Sequence, residues 1–381
     1  MREPPYDAAI IGGGPAGATA AIHLARLGFR TCVVERRAFP RETLCGEFLS
    51  REVLQILDAL GLAEYFRSLR PNPLTAFRYC PERTRSFSST FRFPAYGMKR
   101  GAFDAFLLDH ARDAGATIYQ PATVERVLRE GPQYDLLITI PEGRRHLTAR
   151  RVIAAYGKSN PLDKALQRDF LRRKSRLNGV KFHVPRRCLN VFPEHEIQIF
   201  TSRNAYCGVN AVNDDTATVC FLERRSEGDP PPRTRIAELR HSNPHFARLV
   251  TPDFESAMDD APIYGAGNIF FGEKRVVEDG IFMVGDAARV IAPLAGDGIG
   301  MAMQSGKIVS TVFDETRKNH LSEQAMDRLY STTWRSFFQR RLQLAGTIQH
   351  VLFSRYGRGI GSSILSAFPA TLSSLIEHTR G

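Results

Sequence analysis

The chain has 381 residues, 43% of them hydrophobic, and a formal net charge of +12 at pH 7; this length excludes one simple core and favours two domains or an interleaved pair. No apolar run reaches the roughly 18 residues that span a bilayer, and residues 1–5 lack the apolar core of a signal peptide, so we expect a cytoplasmic protein, with peripheral membrane contact left open. The six cysteines form no C-x-x-C pair, so neither a zinc site nor a disulfide scaffold is predicted, and the site should hold no metal.

The basic residues are scattered as pairs, of which Arg186-Arg187 and Arg340-Arg341 are examples. No nucleic-acid motif accompanies them, so no nucleic-acid partner is predicted. We interpret the pairs mostly as solvated surface and leave open a contact with a membrane surface or an acidic carrier. The sequence does not predict the number of subunits.

The first predicted element is a buried strand at residues 8–11, followed by a glycine turn and a helix. The glycines have the G-x-G-x-x-G spacing, which permits a tight turn, a close pyrophosphate and close helix packing. A second strand, Thr31–Val34, ends in Glu35, about twenty residues on, where an acid binds a ribose hydroxyl. The residues assigned to the dinucleotide here are Gly12, Gly14, Pro15, Ala16, Gly17, Glu35 and Arg36.

The middle of the chain changes character twice. Ser50 is predicted to cap a helix that ends at Gly61, and a second helix begins at Ala102, while residues 71–97 look irregular or strand-like. Short strands follow at 117–119, 123–128, 134–140 and 151–155. From about residue 165, period-two alternation predicts an antiparallel sheet inserted into the nucleotide domain. From Ser322 the chain is predicted to be mostly helical, with a last amphipathic segment over residues 363–376.

A second motif lies at residues 280–306, where an apolar strand ends in Gly285-Asp286 and a glycine-rich turn opens a long helix. Asp286 could accept a hydrogen bond from a ribityl hydroxyl. The amides of Gly298 and Ile299, at the helix start, could stabilise negative charge on a reduced flavin.

This second motif resembles the G-D motif of FAD-dependent oxidoreductases with the para-hydroxybenzoate hydroxylase fold, and most resembles the geranylgeranyl reductase-like branch. Residues 100–107 resemble that superfamily's R-x-x-F-D-x-x-L helix, whose arginine contacts FAD. Residues 40–47 resemble the P-R-x-x-x-C-G-G loop near the flavin. The resemblance implies FAD as cofactor and adds to its site Cys45, Gly46, Arg100, Val124, Gly285, Asp286, Pro293, Gly296, Gly298 and Ile299.

The resemblance implies an α/β fold with an α+β insert. The expected parts are a Rossmann-like FAD-binding domain, an inserted antiparallel-sheet substrate domain and a helical C-terminus. The FAD-binding domain is expected at 1–70, 98–165 and 275–320, the substrate domain at 71–97 and 166–274, and the C-terminal segment at 321–381.

The chain also departs from its relatives. The hydroxylases carry Ala-Asp-Gly where this chain has Ala155-Tyr156-Gly157, which puts the usual handling of pyridine nucleotide in doubt. The prenyl reductases' Y-x-W-x-F motif is not matched around Tyr206, and one tryptophan, Trp334, cannot supply the halogenases' W-x-W-x-I-P motif. With no second G-x-G-x-x-G, electrons are expected from NAD(P)H or a partner reductase.

The expected function is an FAD-dependent oxidoreductase that reduces or desaturates a carbon–carbon bond of a lipophilic isoprenoid or polyketide-like substrate, by hydride exchange at flavin N5. Cys45 is either a proton donor beside the flavin or a small packing residue. His183 and Tyr206 either line the substrate face or are satisfied core positions. Aromatic hydroxylation by a flavin monooxygenase is the first alternative, and a catalytically silent prenyl- or lipid-binding protein is the second.

Overall fold

The structure is a computed structural model that describes residues 4–190, 194–292 and 296–353, arranged as two sheets with helices packed on them. The strands are β1 Tyr6–Ile11, β2 Thr31–Val34, β3 Phe48–Leu49, β4 Asn72–Cys80, β5 Phe87–Gly97, β6 Thr117–Tyr119, β7 Thr123–Glu130, β8 Gln133–Ile140, β9 Gly143–Ala154, β10 Leu177–Pro185, β11 Glu196–Ser202, β12 Ala205–Ala211, β13 Thr216–Arg224, β14 Tyr264–Ala266, β15 Val277–Glu278 and β16 Ile281–Met283. The helices are α1 Pro15–Arg26, α2 Arg51–Ala59, α3 Ala63–Ser68, α4 Arg100–Asp113, α5 Pro161–Ala165, α6 Pro232–Ser242, α7 Pro244–Leu249, α8 Phe254–Asp260, α9 Gly298–Asn319 and α10 Glu323–Phe353.

The first sheet has a parallel centre, in the order β16-β9-β1-β2-β6, with β15, β7 and β8 joined to it antiparallel. In β1, Ala8 pairs with Thr31 of β2 on one side and with Arg151 of β9 on the other. Residues 8–10 are fully buried, which explains why β1 reads as an unbroken apolar run rather than an alternating one. The Rossmann-like fold predicted from the sequence is confirmed.

The second sheet runs β14-β10-β13-β12-β11-β4-β5-β3. The strands predicted to be antiparallel, β10–β13, are antiparallel to one another, and the one parallel pair in the described part of this sheet is β11 with β4, for which the sequence predicted no partner. Residues 71–97, for which the sequence left the structure open, form most of β4 and β5. Alternation gives the sheet two faces: Phe182 and Phe221 pack under α6–α8, and the opposite face is turned toward the first sheet.

Close packing of α1 against α9 sets the position of both helix starts. A Cβ on Gly306 would lie 2.4 Å from the carbonyl oxygen of Ala16, and a Cβ on Gly17 would lie 1.9 Å from that of Gly12. Only glycine permits these approaches, so the N-termini of α1 and α9 reach the same edge of the parallel sheet.

Helix α10 lies along α9 and is tied to the first sheet. The hydroxyl of Tyr330 donates to the carbonyl oxygen of Met283 at 2.6 Å, and Trp334 and Phe338 are buried. The segment predicted at 363–376 lies outside the described residues. Among the helices that the structure describes, none is both long and apolar enough to cross a bilayer.

Candidate cofactor and substrate cleft

A cleft of about 630 Å³ runs between the two sheets and is lined by residues from both of them. Its volume lies within the range of small-molecule sites. One end is formed by the glycine turn after β1, the centre by residues 41–48 and the Gly-Asp turn, and the far end by the inner face of the second sheet.

The glycine turn leaves an open space faced by two cations. Gly12 has φ +108°, a backbone conformation that L side chains rarely adopt, and lies under the carbonyl of Ala155. At Gly14 an added Cβ would meet only the guanidinium groups of Arg41 and Arg100, at 3.7 and 3.9 Å. The start of α1 adds backbone N–H groups, so this end of the cleft suits a pyrophosphate.

Both guanidinium groups are held by one buried carboxylate. Arg100 donates to the two oxygens of Asp104 at 2.7 Å each, and Arg41 donates to the same side chain at 3.0 Å. Burial alone would lower the pKa of Arg100, but the charge of Asp104 outweighs it and the pKa is raised. Arg100 was predicted as a cofactor residue; Arg41 was not, because its loop was expected near the flavin and no local spacing places it next to Gly14.

Glu35 closes the same end of the cleft. Its carboxylate accepts the backbone N–H of Gly13 at 2.7 Å and that of Arg37 at 2.9 Å, which fixes its orientation at the end of β2. Further lone pairs of its oxygens are available to ribose hydroxyls. Of the other residues predicted for this end, Gly17 packs behind the turn and does not line the cleft. The ones that do line it are Pro15, Ala16, Arg36 and Val124.

The Gly-Asp turn forms the cleft wall at the start of α9. Asp286 is paired with Lys158, Oδ2 to Nζ 3.0 Å, and the N–H of Gly285 donates to Ser305 Oγ at 3.2 Å. Burial lowers the pKa of Lys158, but the charge of Asp286 raises it by more, so the net shift is upward and Lys158 stays protonated. Gly296, Gly298 and Ile299 line the cleft as predicted residues; Pro293 lies outside the described residues.

Tyr156 occupies the position where the hydroxylases carry an aspartate. Its hydroxyl donates to Asp163 at 2.6 Å, and Asp163 is in turn paired with the buried Arg168 at 3.0 Å. Burial raises the pKa of Tyr156 far above its ordinary value. The phenol is therefore fixed and neutral, and it cannot replace the missing carboxylate.

A buried charge cluster joins the centre of the cleft to the second sheet. Glu47 is fully buried and accepts hydrogen bonds from the backbone N–H of Arg100 at 2.7 Å, from Lys181 Nζ at 2.7 Å, from His183 Nε2 at 2.7 Å and from the hydroxyl of Thr218. Burial would raise the pKa of Glu47, but the hydrogen bonds and charges of His183 and Lys181 lower it to about 2.

Lys181 supplies the positive charge of this cluster, which we call the Glu47 cluster. It is fully buried, donates to Glu42 as well as to Glu47, and lies 5.5 Å from the centroid of the Tyr264 ring. Burial alone would lower the pKa of Lys181, but the charge of Glu47 raises it by more, so the net shift is upward. The sequence analysis assigned no role to Glu47 or Lys181; the only signals were a glutamate at the end of a glycine-containing loop and a lysine within a hydrophobic strand.

The far end of the cleft is apolar, with a floor of small residues. Across the sheet, Lys181 pairs with Cys220, and Cys220 pairs with Gly208. The pair of Leu222 and Tyr206, two residues along these strands, continues the same face of the sheet. The apolar side chains lining this end are Phe77, Ile197, Ile199, Tyr206, Leu222 and Ile269. Tyr206, predicted to meet substrate, is on this wall; His183 contacts Glu47 and does not line the cavity, so a substrate role for it stays a prediction.

Cys45 and Gly46 lie between the two ends of the cleft. The thiol of Cys45 accepts the backbone N–H of Glu47 at 3.3 Å, so its S–H proton is not used in that contact. A catalytic role for Cys45 stays a prediction that its position permits.

Comparison with known proteins relates the whole chain to flavoproteins. A family model described as FAD binding domain matches residues 5–345. The chain is 24% identical over 358 residues to the 1H-pyrrole-2-carbonyl-[peptidyl-carrier protein] chlorinase of Pseudomonas fluorescens, covering 84% of this chain and 78% of the relative. It is 26% identical over 384 residues to digeranylgeranylglycerophospholipid reductase 2 of Methanothermobacter thermautotrophicus, covering 96% and 91%.

A solved structure shares the fold. A mutant of a flavin-dependent brominase superposes with a TM-score of 0.77 at 19% identity, over 97% of this chain and 94% of the other. At this identity the likeness concerns the fold alone.

Proposed function

Because the chain belongs to the family of the FAD binding domain, we propose that it is an FAD-dependent oxidoreductase that reduces or desaturates a carbon–carbon bond of a lipophilic small molecule. An isoprenoid or polyketide-like molecule is the expected substrate class. The observation that carries this proposal is the apolar far end of the cleft, which is continuous with the end that suits a pyrophosphate.

The described residues fit FAD. The open space at Gly14, faced by Arg41 and Arg100, would take the pyrophosphate, and Glu35 would take the ribose. Asp286 and the amides of Gly298 and Ile299 would hold the flavin end. When bound, FAD supplies an exchangeable hydride at its N5.

The apolar wall of the cleft would orient the substrate. Ile199, Leu222 and Ile269 exclude water and bury a hydrocarbon, and Ile199 packs over Gly208 on the sheet below. The Glu47 cluster fixes the loop that carries Cys45, because Glu47 joins that loop to two strands and to the start of α4. We assign proton delivery to the S–H of Cys45 or to water held beside it.

The reductase relative supports reduction over other flavin chemistries, since the match extends over 96% of this chain and 91% of the reductase. Electrons would come from NAD(P)H or a partner reductase. The alternative is oxygen-dependent chemistry, hydroxylation or halogenation of an aromatic or polyketide substrate, which the chlorinase relative favours. The proposal leaves room for a substrate delivered from a membrane surface or an acidic carrier, given the net charge of +12.

Rapid mixing tests the proposal. The purified flavoprotein is reduced without oxygen, mixed with oxygenated buffer, and its absorbance is followed with and without a polyprenyl substrate. Slow reoxidation with no transient species, together with a gain of two hydrogens by the substrate in anaerobic turnover, supports reduction. A transient absorbing species that accumulates would overturn it in favour of oxygen-dependent chemistry. Protein that does not take up FAD would overturn both.

A further inference from the structure

One polar side chain of the second sheet has hydrogen-bonding capacity that the described residues do not use. Asn210, in β12, lines the cleft and is only 1% exposed. Its Nδ2 donates to the carbonyl oxygen of the adjacent Ala211 at 3.3 Å, a long contact, and no described residue donates to its Oδ1. A side-chain amide can donate two hydrogen bonds and accept two. Because a buried amide that is left unpaired is costly, Asn210 needs a partner inside the cleft.

The register of the second sheet places this amide at the polar centre of the cleft. Asn210 pairs with Thr218, whose hydroxyl donates to Glu47. Because side chains alternate along a strand, Asn210 shares its sheet face with Gly208 and Tyr206, which also line the cleft. From Asn210 to the apolar wall at Tyr206 the strand covers roughly 13 Å. A ligand can therefore reach Asn210 with one end while its hydrocarbon part lies against that wall.

The charges that line this part of the cleft are already matched. Apart from the end that suits a pyrophosphate, the charged residues of the described lining are Glu42, Glu47, Lys158 and Asp286. Lys158 is paired with Asp286, and both glutamates accept hydrogen bonds from Lys181. In this part of the described lining no cation is left for an anionic group, and burying a charge without a partner is costly. The polar end of a ligand at Asn210 is therefore expected to be uncharged.

We propose that Asn210 binds the polar end of the substrate and selects a neutral group that both donates and accepts a hydrogen bond, such as a hydroxyl or an amide. This inference rests on the proposed function, because it takes the cleft as the site of a lipophilic substrate. The amide oxygen accepts from the ligand, and the amide N–H groups donate to it. A carboxylate, phosphate or ammonium group would lose its water without gaining an unpaired counter-ion, so the site discriminates against such substrates.

Calorimetric titration of the FAD-loaded protein tests this selection without requiring turnover. The probes share one branched carbon skeleton: geraniol, geranic acid, geranylamine and the hydrocarbon that lacks the end group. At neutral pH the acid and the amine are charged, so geraniol should bind at least about tenfold more tightly than either of them. An acid or an amine that binds as tightly as geraniol would overturn the inference.

Variants of Asn210 assign the selection to this residue. In Asn210→Leu, a change to an apolar side chain of similar size, the ratio of the affinities for geraniol and for the hydrocarbon should fall about tenfold, because geraniol loses its partner. Asn190→Leu, the same change at an exposed residue outside the described lining of the cleft, should leave that ratio unchanged. Asn210→Ala removes the amide without added bulk and covers the case that Asn210→Leu does not fold. An unchanged ratio in both Asn210 variants would show that water, and not the ligand, pairs with the amide.

The outcomes separate this inference from the proposed function. If none of the four probes binds, the cleft is not a site for lipophilic molecules, and the inference fails together with the proposed substrate class. If the probes bind but their end groups make no difference, the inference on Asn210 alone is wrong. If the selection is observed while rapid mixing shows oxygen-dependent chemistry, the proposed reaction is wrong and the selection by Asn210 is supported.

Discussion

The carboxylate of Glu47 accepts four hydrogen bonds, although no sequence pattern marked this residue. One of its four donors comes from α4, two come from β10 and one comes from β13, so a single buried charge joins the cofactor loop to α4 and to the second sheet. A buried charge of this kind is stable only while it is fully paired.

The depressed pKa of Glu47 predicts how stability depends on pH. Since the pKa falls from its ordinary 4.5 to about 2 in the folded protein, this group stabilises the fold above pH 4.5 and loses that contribution as pH falls toward 2. The contribution is about 3 kcal/mol. Glu47→Gln should remove it, and should lower the free energy of unfolding at pH 7 by about 3 kcal/mol, measured in denaturant. Glu42→Gln, which leaves Lys181 its bond to Glu47, serves as control and should cost about half as much. Equal losses in the two variants would contradict this account.

Arg41 yields a prediction about the cofactor. Arg41→Met should weaken FAD binding about tenfold, ~1.4 kcal/mol, because one of the two cations at Gly14 is lost while Arg100 keeps Asp104 paired. Titration of the apoprotein with FAD measures the affinity. Arg112→Met, the same change at the exposed end of α4, should leave the affinity within about twofold. Unchanged affinity in Arg41→Met would show that the pyrophosphate does not lie at Gly14.

Single residues also mark the limit of what the sequence could predict. The glycines, Glu35 and Asp286 were identified because local spacing determines where they lie. Ser50 does lie at the start of α2, but its side chain accepts no helix N–H; its hydroxyl instead donates to Asp297 at 2.7 Å, a partner 247 positions away. Partners this distant in the chain leave no local pattern.

At the scale of elements, α10 is fastened to the start of α9 by one side chain. Arg341 donates to both oxygens of Glu52 and to Asp297, each at 3.0 Å, and its side chain is only 14% exposed. The interpretation of Arg340-Arg341 as solvated surface was therefore wrong for Arg341. The helix turns one of two adjacent arginines inward, and the sequence alone does not indicate which.

This clamp can be tested with an adjacent pair of variants. Arg341→Met should lower the free energy of unfolding by about 3 kcal/mol, because Glu52 and Asp297 then remain as buried carboxylates without their cation. Arg340→Met, on the exposed face one residue away, should change it by less than ~0.5 kcal/mol. Equal effects of the two changes in denaturant unfolding would show that α10 is not held by this contact.

Element types followed well from pattern where burial is one-sided or complete. The strand–turn–helix–strand unit at residues 6–34 and the alternating segments in β10 and β11 were predicted because packing and local periodicity agree there. Residues 71–97 were left open because their exposed alternation is interrupted by prolines and a bulge between Leu74 and Ala76. The parallel pairing of β4 with β11 is a choice of partner, which periodicity does not encode.

For the whole molecule, the shared cleft predicts that FAD stabilises both sheets together. At a free concentration a hundred times its dissociation constant, FAD should add about 2.7 kcal/mol to the free energy of unfolding. One cooperative transition, shifted upward by FAD in thermal unfolding, is the expected result. The Gly14→Val variant, in which a side chain fills the space before Arg41, should show no shift. Separate transitions, of which FAD moves only one, would show that the two sheets respond independently.

The positions of the cleft-forming segments along the chain also constrain how the cleft forms during synthesis on the ribosome. The end of the cleft that suits a pyrophosphate lies near residue 14, on a strand, β1, that needs both β2 and β9 as neighbours. The other end includes the start of α9, at Gly298. At ordinary elongation rates these parts emerge roughly 15–60 s apart. Binding of FAD across the cleft, as proposed, can therefore be completed only late in synthesis, after most of the chain has emerged.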